Sequence, residues 1–154
     1  MDEIYVKARS EAIKHIGIST YSSGKIKQFL ITKGYSYDVA SNVVAELIKR
    51  EYINDVKASR VTLLNRNGKK QESKNYLLQR LLAAGIDEYV AEDYVYELPP
   101  DSETVQLLYE ACFPNGIDIN DQDQRDNALK TASKRGYSIE IAQSGLKNWI
   151  NNRH

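Results

Sequence analysis

The stretch KGYSYDVA, Lys33–Ala40, returns twice in altered form, as AGIDEYVA at Ala84–Ala91 and as RGYSIEIA at Arg135–Ala142. Its glycines, Gly34, Gly85 and Gly136, follow one another at intervals of 51 residues. Apolar or small residues recur at fixed offsets around each of them. Ile26, Leu77 and Ala128 lie eight before, and Leu30, Leu81 and Ala132 four before, which is one face of a helix. Val39, Val90 and Ile141 lie five after, Ala40, Ala91 and Ala142 six after, and Leu47, Leu98 and Trp149 thirteen after, which is a second helical stripe.

Each glycine therefore separates two helices. Glycine takes the left-handed conformation that ends the first, and the apolar residue after it (Tyr35, Ile86 or Tyr137) folds back on the last turn. Ser36, Asp87 or Ser138 then supplies a side-chain oxygen to the free amides that begin the second helix.

A further helix per period is expected at Glu3–Ile16, Asp55–Asn67 and Ser102–Phe113, the last set off by Pro99 and Pro100. VTLLN, starting at Val61, has a strand-like composition but sits within a helical period, and strand signals are poor elsewhere. The expectation is an all-α chain of three tandem three-helix repeats, 1–52, 53–100 and 101–154, forming an elongated, curved array.

A chain of 154 residues, 42% of them hydrophobic, can build a core without disulfides or metals. The single cysteine, Cys112, has no partner for a disulfide or a zinc site, and is expected as a small apolar residue on a helix in a reducing compartment. With no apolar run of about 18 residues and no leader-like start, neither a membrane span nor secretion is expected, and the location expected is cytoplasmic. The net charge of zero hides an asymmetry: residues 1–80 hold 15 Lys/Arg against 8 Asp/Glu, and residues 81–154 hold 6 against 13. Such a division suggests that the first half faces something anionic, or that two different partner surfaces are met by the two ends, the alternative being a merely solvated surface.

Three tandem three-helix units, the first with the junction Lys33-Gly34-Tyr35-Ser36 preceded by Tyr21-Ser22 and followed by the step Tyr52-Ile53-Asn54-Asp55, resemble the RecX family of bacterial regulators of the RecA recombinase. The resemblance covers nearly the whole chain. It departs from the family at Lys25, where a glutamate usually follows the Tyr-Ser, at Ala58-Ser59 in place of Phe-Ala, and at Ser73–Leu77 in place of Gly-Pro-Arg-Arg-Ile. What it implies is a non-enzymatic protein that binds along the groove of the RecA filament on DNA; no cofactor or metal, no membrane contact and a monomeric state are expected. Its partners would be the RecA filament and DNA, met directly or through the filament, and its effect would be to modulate, usually inhibit, ATP hydrolysis and strand exchange.

The candidate binding residues are cations. Lys25, Lys27, Lys33, Lys49 and Arg50 belong to the first unit, and Arg60, Arg66, Lys69, Lys70, Lys74 and Arg80 surround the segment leading into the second. Within them, RNGKK at Arg66–Lys70 reads as an exposed loop presenting cations to phosphates or to an acidic protein face, the alternative being a solubilising loop.

Other readings are weaker. Helix pairs joined at glycine also resemble helix-turn-helix DNA readers, but Glu88, Glu92, Asp93 and Glu97 make the second helix of the middle unit acidic. The helix from Tyr37 carries a mixed set, Asp38, Asn42, Glu46, Lys49 and Arg50, without a base-reading pattern. Non-specific DNA binding and a helical protein-interaction scaffold stand as alternatives. His15 and His154 are the only histidines, and no phosphate loop or nucleophile–base motif accompanies them. His15 is expected in the last turn of the first helix. The acids Asp118, Asp121, Asp123 and Asp126 lack the glycine and glutamate of a calcium loop and are expected to favour a helix N-terminus. Tyr89, Tyr94 and Tyr96 are expected to pack between units, and Trp149 to lie in the core.

Overall fold

All three repeated glycines have left-handed backbones in the computed structural model, which describes residues 2–17 and 21–153, with φ of 100° at Gly34, 83° at Gly85 and 90° at Gly136. The next amide closes back over each helix end: Tyr35 donates to the Leu30 carbonyl at 3.1 Å, Ile86 to Leu81 at 3.1 Å and Tyr137 to Ala132 at 3.2 Å. These are the six-to-one bonds of a glycine-terminated helix. Ser36 and Ser138 accept from the amides of Val39 and Ile141, each at 3.2 Å, and Asp87 accepts from Tyr89 and Val90. The stop is thus satisfied by a backbone amide and the start by a side chain, both carried by the repeated phrase itself.

Among the described residues there are nine α-helices and no strands. They are α1 (Glu3–Ile16), α2 (Ser23–Thr32), α3 (Tyr37–Lys49), α4 (Asp55–Leu63), α5 (Lys74–Ala83), α6 (Glu88–Tyr96), α7 (Asp101–Cys112), α8 (Gln122–Lys134) and α9 (Ile139–Asn152). The all-α expectation holds, and Val61–Leu63 of the strand-like stretch is helical. One helix is shorter than its pattern suggests. α4 stops at Leu63 rather than reaching Asn67, because Asn67 is extended, with ψ near 175°, and Gly68 turns left-handed, with φ of 58°. A single 3-10 turn, Gly68–Lys70, follows.

The chain divides into two compact units, Met1–Thr62 with Arg80–Tyr94, and Leu63–Gln79 with Val95–His154. In the first, Ala8 and Ala12 of α1 lie against Ile26 and Leu30 of α2 and Ala40, Val43 and Leu47 of α3, all fully buried. In the second, Val105, Leu108 and Tyr109 of α7 cluster with Ala128 and Ala132 of α8 and Ala142, Leu146 and Trp149 of α9. The small residues of α8 stand where the other repeats have Ile or Leu, and this core takes its volume from Tyr109, Tyr137 and Trp149 instead. Leu98, at the register of Leu47 and Trp149, lies beyond the end of α6 and is half-buried.

Each unit contains the same latch, displaced by one period. In the first, Ser22 caps α2 by accepting from the Lys25 amide, and its hydroxyl donates to the Ala84 carbonyl at 2.7 Å. The Gly24 amide donates to the Gly85 carbonyl at 2.8 Å. The buried Asp55 carboxylate, at the first residue of α4, accepts from the Ser23 amide and hydroxyl and from the Asp87 amide. In the second unit Ser73 caps α5 by accepting from the Tyr76 amide, its own amide donates to the Arg135 carbonyl at 3.0 Å, and Asp101, the first residue of α7, accepts from the Lys74 amide. A helix start of one repeat thereby docks on the glycine junction of the next, and an aspartate fixes its first amide.

Candidate functional site

The cations expected to bind a partner fall into both units. Those of the first are on α2 and around the ends of α3, α4 and α5. Lys25, Lys33, Lys49, Arg50 and Arg60 are exposed, and Lys27 and Arg80 are half-buried. Two of them rest on aromatic rings, Lys27 with its ammonium 5.0 Å from the Tyr37 ring centre and Lys33 with its own 5.6 Å from Phe29. Such contacts contribute about 0.5–1 kcal/mol at exposed sites and leave the charge facing outward. Arg50 pairs with Glu46 at 3.1 Å, which spends part of its charge within the protein. A cleft of about 430 Å3 beside Lys27 is lined by Ser23, Ser41, Val44, Ile48 and Asp87, mixed apolar and polar in character.

Glu46 is the hub of the α1–α3 contact. It accepts from the Tyr5 hydroxyl and pairs with Arg9 and Arg50. The Tyr5 hydrogen bond holds its carboxyl below the usual range, helped by the two guanidinium groups against the opposing effect of burial. Of the mixed face of α3, Glu46 is thus tied up in packing against α1, while Asp38, Asn42, Lys49 and Arg50 stay exposed.

In the second unit, the RNGKK segment is a formed turn. The Arg66 amide closes on the Leu63 carbonyl at 2.9 Å, the Lys70 amide on Asn67 at 3.0 Å and the Gln71 amide on Gly68 at 3.2 Å. The 3-10 turn packs against α7, and the next three residues, Gln71, Glu72 and Ser73, are all buried. Lys69 and Lys70 are exposed on this anchored turn, and Arg66 is half-buried. Lys74, one residue beyond the buried tether, donates its ammonium to the Tyr96 carbonyl at 3.1 Å and serves the fold.

Two cations that sequence reasoning passed over belong with this group. The Ser73–Arg135 backbone bond brings Lys134 and Arg135, the last residues before the third junction, beside the start of α5. At the matching place the second junction reads Ala83-Ala84. The sign of those side chains was legible, but their neighbourhood depends on a contact 62 residues apart along the chain.

Several expectations change in the folded protein. The charge division along the chain does not survive as a division between units. The first holds 10 Lys/Arg and 7 Asp/Glu in Met1–Thr62, with 1 and 4 in Arg80–Tyr94, so 11 of each. The second holds the remaining 10 of each. The acidic α6 residues fold with the basic first repeat, and the basic turn folds with the acidic third. Tyr89 and Tyr96 are 78% and 80% exposed, so they are not packing residues; the buried side of α6 is Ala91 and Val95. Trp149 is in the core as expected, its indole N–H donating to Glu110 at 2.8 Å. Asp121 caps α8 by accepting from the Asp123 and Gln124 amides, and Cys112 ends α7, half-buried. His15 stands in the last turn of α1, stacked 3.8 Å from the Phe29 ring; His154 lies outside the described residues. Among the described residues no helix is long and apolar enough to cross a membrane, and no group of three or more His, Cys, Asp or Glu could hold a metal ion.

Fold and surface together define a class, an all-α protein of glycine-joined helix pairs whose exposed cations stand on rigid supports. No family model matches the chain. Over 143 residues, 91% of the chain and 87% of the relative, it is 24% identical to a protein of Pelodictyon phaeoclathratiforme named Regulatory protein RecX. Its fold matches the crystal structure of RecX from Lactobacillus salivarius with a TM-score of 0.72 at 15% identity, covering 97% of this chain and 98% of that one. Whole-chain sequence and fold agree with the resemblance that the repeated junctions carry, and the chain is RecX-like.

Proposed function

We propose that this protein is a non-enzymatic regulator of the RecA recombinase that binds the RecA–DNA filament and restrains its ATP hydrolysis and strand exchange. The observation that carries the reading is the similarity to Regulatory protein RecX along 91% of the chain. The three-helix units 1–52, 53–100 and 101–154 are its repeating elements. The correspondence of Ser22 with Ser73, and of the Asp55 and Asp101 contacts, supports that division.

In this reading the protein acts by occupancy. The exposed cations Lys25, Lys33, Lys49, Arg60, Lys69 and Lys70 supply attraction to an anionic surface, and Arg66, Lys69 and Lys70 are the contacts of greatest consequence because their turn is already ordered. A pre-formed loop loses less conformational entropy on binding than a floppy one. Co-sedimentation with RecA assembled on single-stranded DNA tests the binding step: the protein pellets with the filament and stays in the supernatant when RecA is omitted at physiological salt. Absence from the filament pellet would refute the reading.

A further inference from the structure

Two of the three glycine junctions carry a docked helix start, and the first does not. A β-carbon on Gly85 would lie 2.6 Å from the Ser22 hydroxyl, and one on Gly136 would lie 2.6 Å from the Ser73 hydroxyl. In each case the capping serine of a preceding helix fills the space that the glycine leaves. At Gly34 a β-carbon would meet nothing within 4 Å among the described residues. Gly34 is exposed, whereas Gly85 and Gly136 are half-buried. Hydrogen bonds divide the junctions in the same way. The carbonyl of Ala84 accepts the Ser22 hydroxyl, that of Gly85 the Gly24 amide and that of Arg135 the Ser73 amide. Lys33 and Gly34 stand at the registers of Ala84 and Gly85, and among the described residues their carbonyls accept no hydrogen bond.

The latch works because its two sides complement each other. A helix end leaves carbonyls without amides, a helix start leaves amides without carbonyls, and the two dipole ends attract. The first junction has the same left-handed glycine and the same closure, from the Tyr35 amide to the Leu30 carbonyl, so its docking face is already formed. A phosphate backbone only accepts hydrogen bonds and cannot serve these carbonyls, so the face fits a polypeptide. Local charge narrows the choice further. The Lys33 ammonium lies 5.6 Å from the centre of the Phe29 ring and the Lys27 ammonium 5.0 Å from that of Tyr37. Asp38, in the first turn of α3, is the exposed acid closest along the chain to Gly34. Two cations against one acid favour carboxylates in the first turn of an incoming helix, where its own dipole favours them too.

We propose that the Gly34 junction is a docking site for a helix start of a partner protein, capped by serine, with glycine in its first turn and acidic residues beside it. The start of α2 supplies the pattern. Ser22 is its cap, and a β-carbon at Gly24 would lie 2.6 Å from the Gly85 carbonyl oxygen, so the close approach of the two backbones depends on glycine. The site lies wholly within the first unit and goes beyond the regulatory reading.

The test is an amide NMR titration of the full chain with a synthetic peptide of Tyr21–Thr32. The peptide is acetylated, has glutamate in place of Lys25 and Lys27, and is held helical by a lactam bridge between the positions of Gln28 and Thr32. A saturable shift of the Lys33, Gly34, Tyr35 and Ser36 amides is expected, with those of Gly85 and Gly136 unmoved. The same peptide with Gly24→Val should bind about tenfold or more weakly, the scale of an overpacked contact. That change is in the peptide, so the folding of the protein does not enter. In the protein, Gly34→Asn should weaken binding equally while the rest of the spectrum stays as in the parent. Asparagine tolerates a left-handed backbone, and a β-carbon there meets nothing within 4 Å among the described residues of the free chain. Lys33→Glu should also weaken binding of the acidic peptide. No shift of the four junction amides, or equal binding of the Gly24→Val peptide, overturns the proposal. Shifts at Gly85 or Gly136 instead of Gly34 overturn it too, since the peptide then displaces an existing latch. Movement of the four amides with protein concentration alone would assign the face to a second copy of this chain and likewise overturn it. RecA is absent from the titration, so the docking site and the regulatory reading can each fail alone.

Discussion

The amide of Gly24 donates to the carbonyl of Gly85 at 2.8 Å, placing the first turn of α2 directly on the second glycine junction. A β-carbon at Gly24 would lie 2.6 Å from that carbonyl oxygen and 2.9 Å from the Gly85 α-carbon, both backbone atoms that cannot swing aside. Gly24→Ala should therefore destabilise the protein by about 1–3 kcal/mol, the usual cost of overpacking. Urea denaturation measures it, and a change below about 0.5 kcal/mol would show that the contact yields.

Asp55 makes the same latch from the other side. Its carboxylate takes the Ser23 amide at 2.8 Å, the Ser23 hydroxyl at 2.6 Å and the Asp87 amide at 2.7 Å, in a site only 8% exposed. Asp55→Ala strips three donors of their acceptor, and a buried unsatisfied group costs about 1–3 kcal/mol. Loss of at least that amount is expected, with hydrogen exchange quickening at Ser23 and Asp87. Unchanged exchange at both amides would contradict the assignment.

In the second core, Tyr137 donates or accepts at 2.7 Å with Thr104, and burial pushes its hydroxyl from 10.0 up to about 12. Tyr109, bonded to the Ala142 carbonyl, is raised further, again chiefly by burial. Because the folded values lie above the unfolded one, the unfolded chain releases these protons first as pH rises past about 10. Their contribution is complete below pH 10 and declines through pH 12. Melting temperature should fall over that window, and Tyr137→Phe should flatten the fall while costing about 1 kcal/mol at neutral pH through the unpaired Thr104 hydroxyl. Parallel pH profiles for parent and variant would rule this out.

Trp149 closes the same core, its ring 5.8 Å from Tyr109 and its guanidinium neighbour Arg153 5.0 Å above it. Arg153 also bonds Glu110, which accepts the Trp149 indole N–H, and the Pro114 carbonyl. Trp149→Ala should cost about 3–5 kcal/mol, as for large aromatic truncations. A calorimetric loss under 1 kcal/mol would place it outside the core.

The ordered turn at Arg66–Lys70 yields a functional prediction. Reversing Arg66, Lys69 and Lys70 to glutamate should weaken the effect on RecA about tenfold or more, by exchanging attraction for repulsion at a fixed surface. Thermal stability should be nearly unchanged for Lys69 and Lys70, which are exposed. An inhibition curve that overlays the parent would remove this turn from the interface.

The helix-stop and helix-start chemistry was legible because it is local. Gly34, Gly85 and Gly136 need only the residues from four before to five after them to fix the backbone, a window that spans the repeated phrase. The latch was not legible. Asp55 only opens an expected helix and Asp101 precedes one, and nothing nearby in sequence tells that they cap Ser23 and Lys74. The same distance hid the cations of the third junction, whose relation to the basic turn passes through the Ser73–Arg135 bond. Tyr89 and Tyr96 failed for a different reason: aromatic residues on an amphipathic helix read as packing, whereas α6 buries only its narrow Ala91–Val95 side.

The central claim is tested most directly by the DNA-dependent ATPase of the RecA filament as this protein is titrated in, repeated at two salt concentrations. A drop at substoichiometric protein that weakens with added salt is the predicted result. An ATPase rate unchanged at excess protein would contradict it.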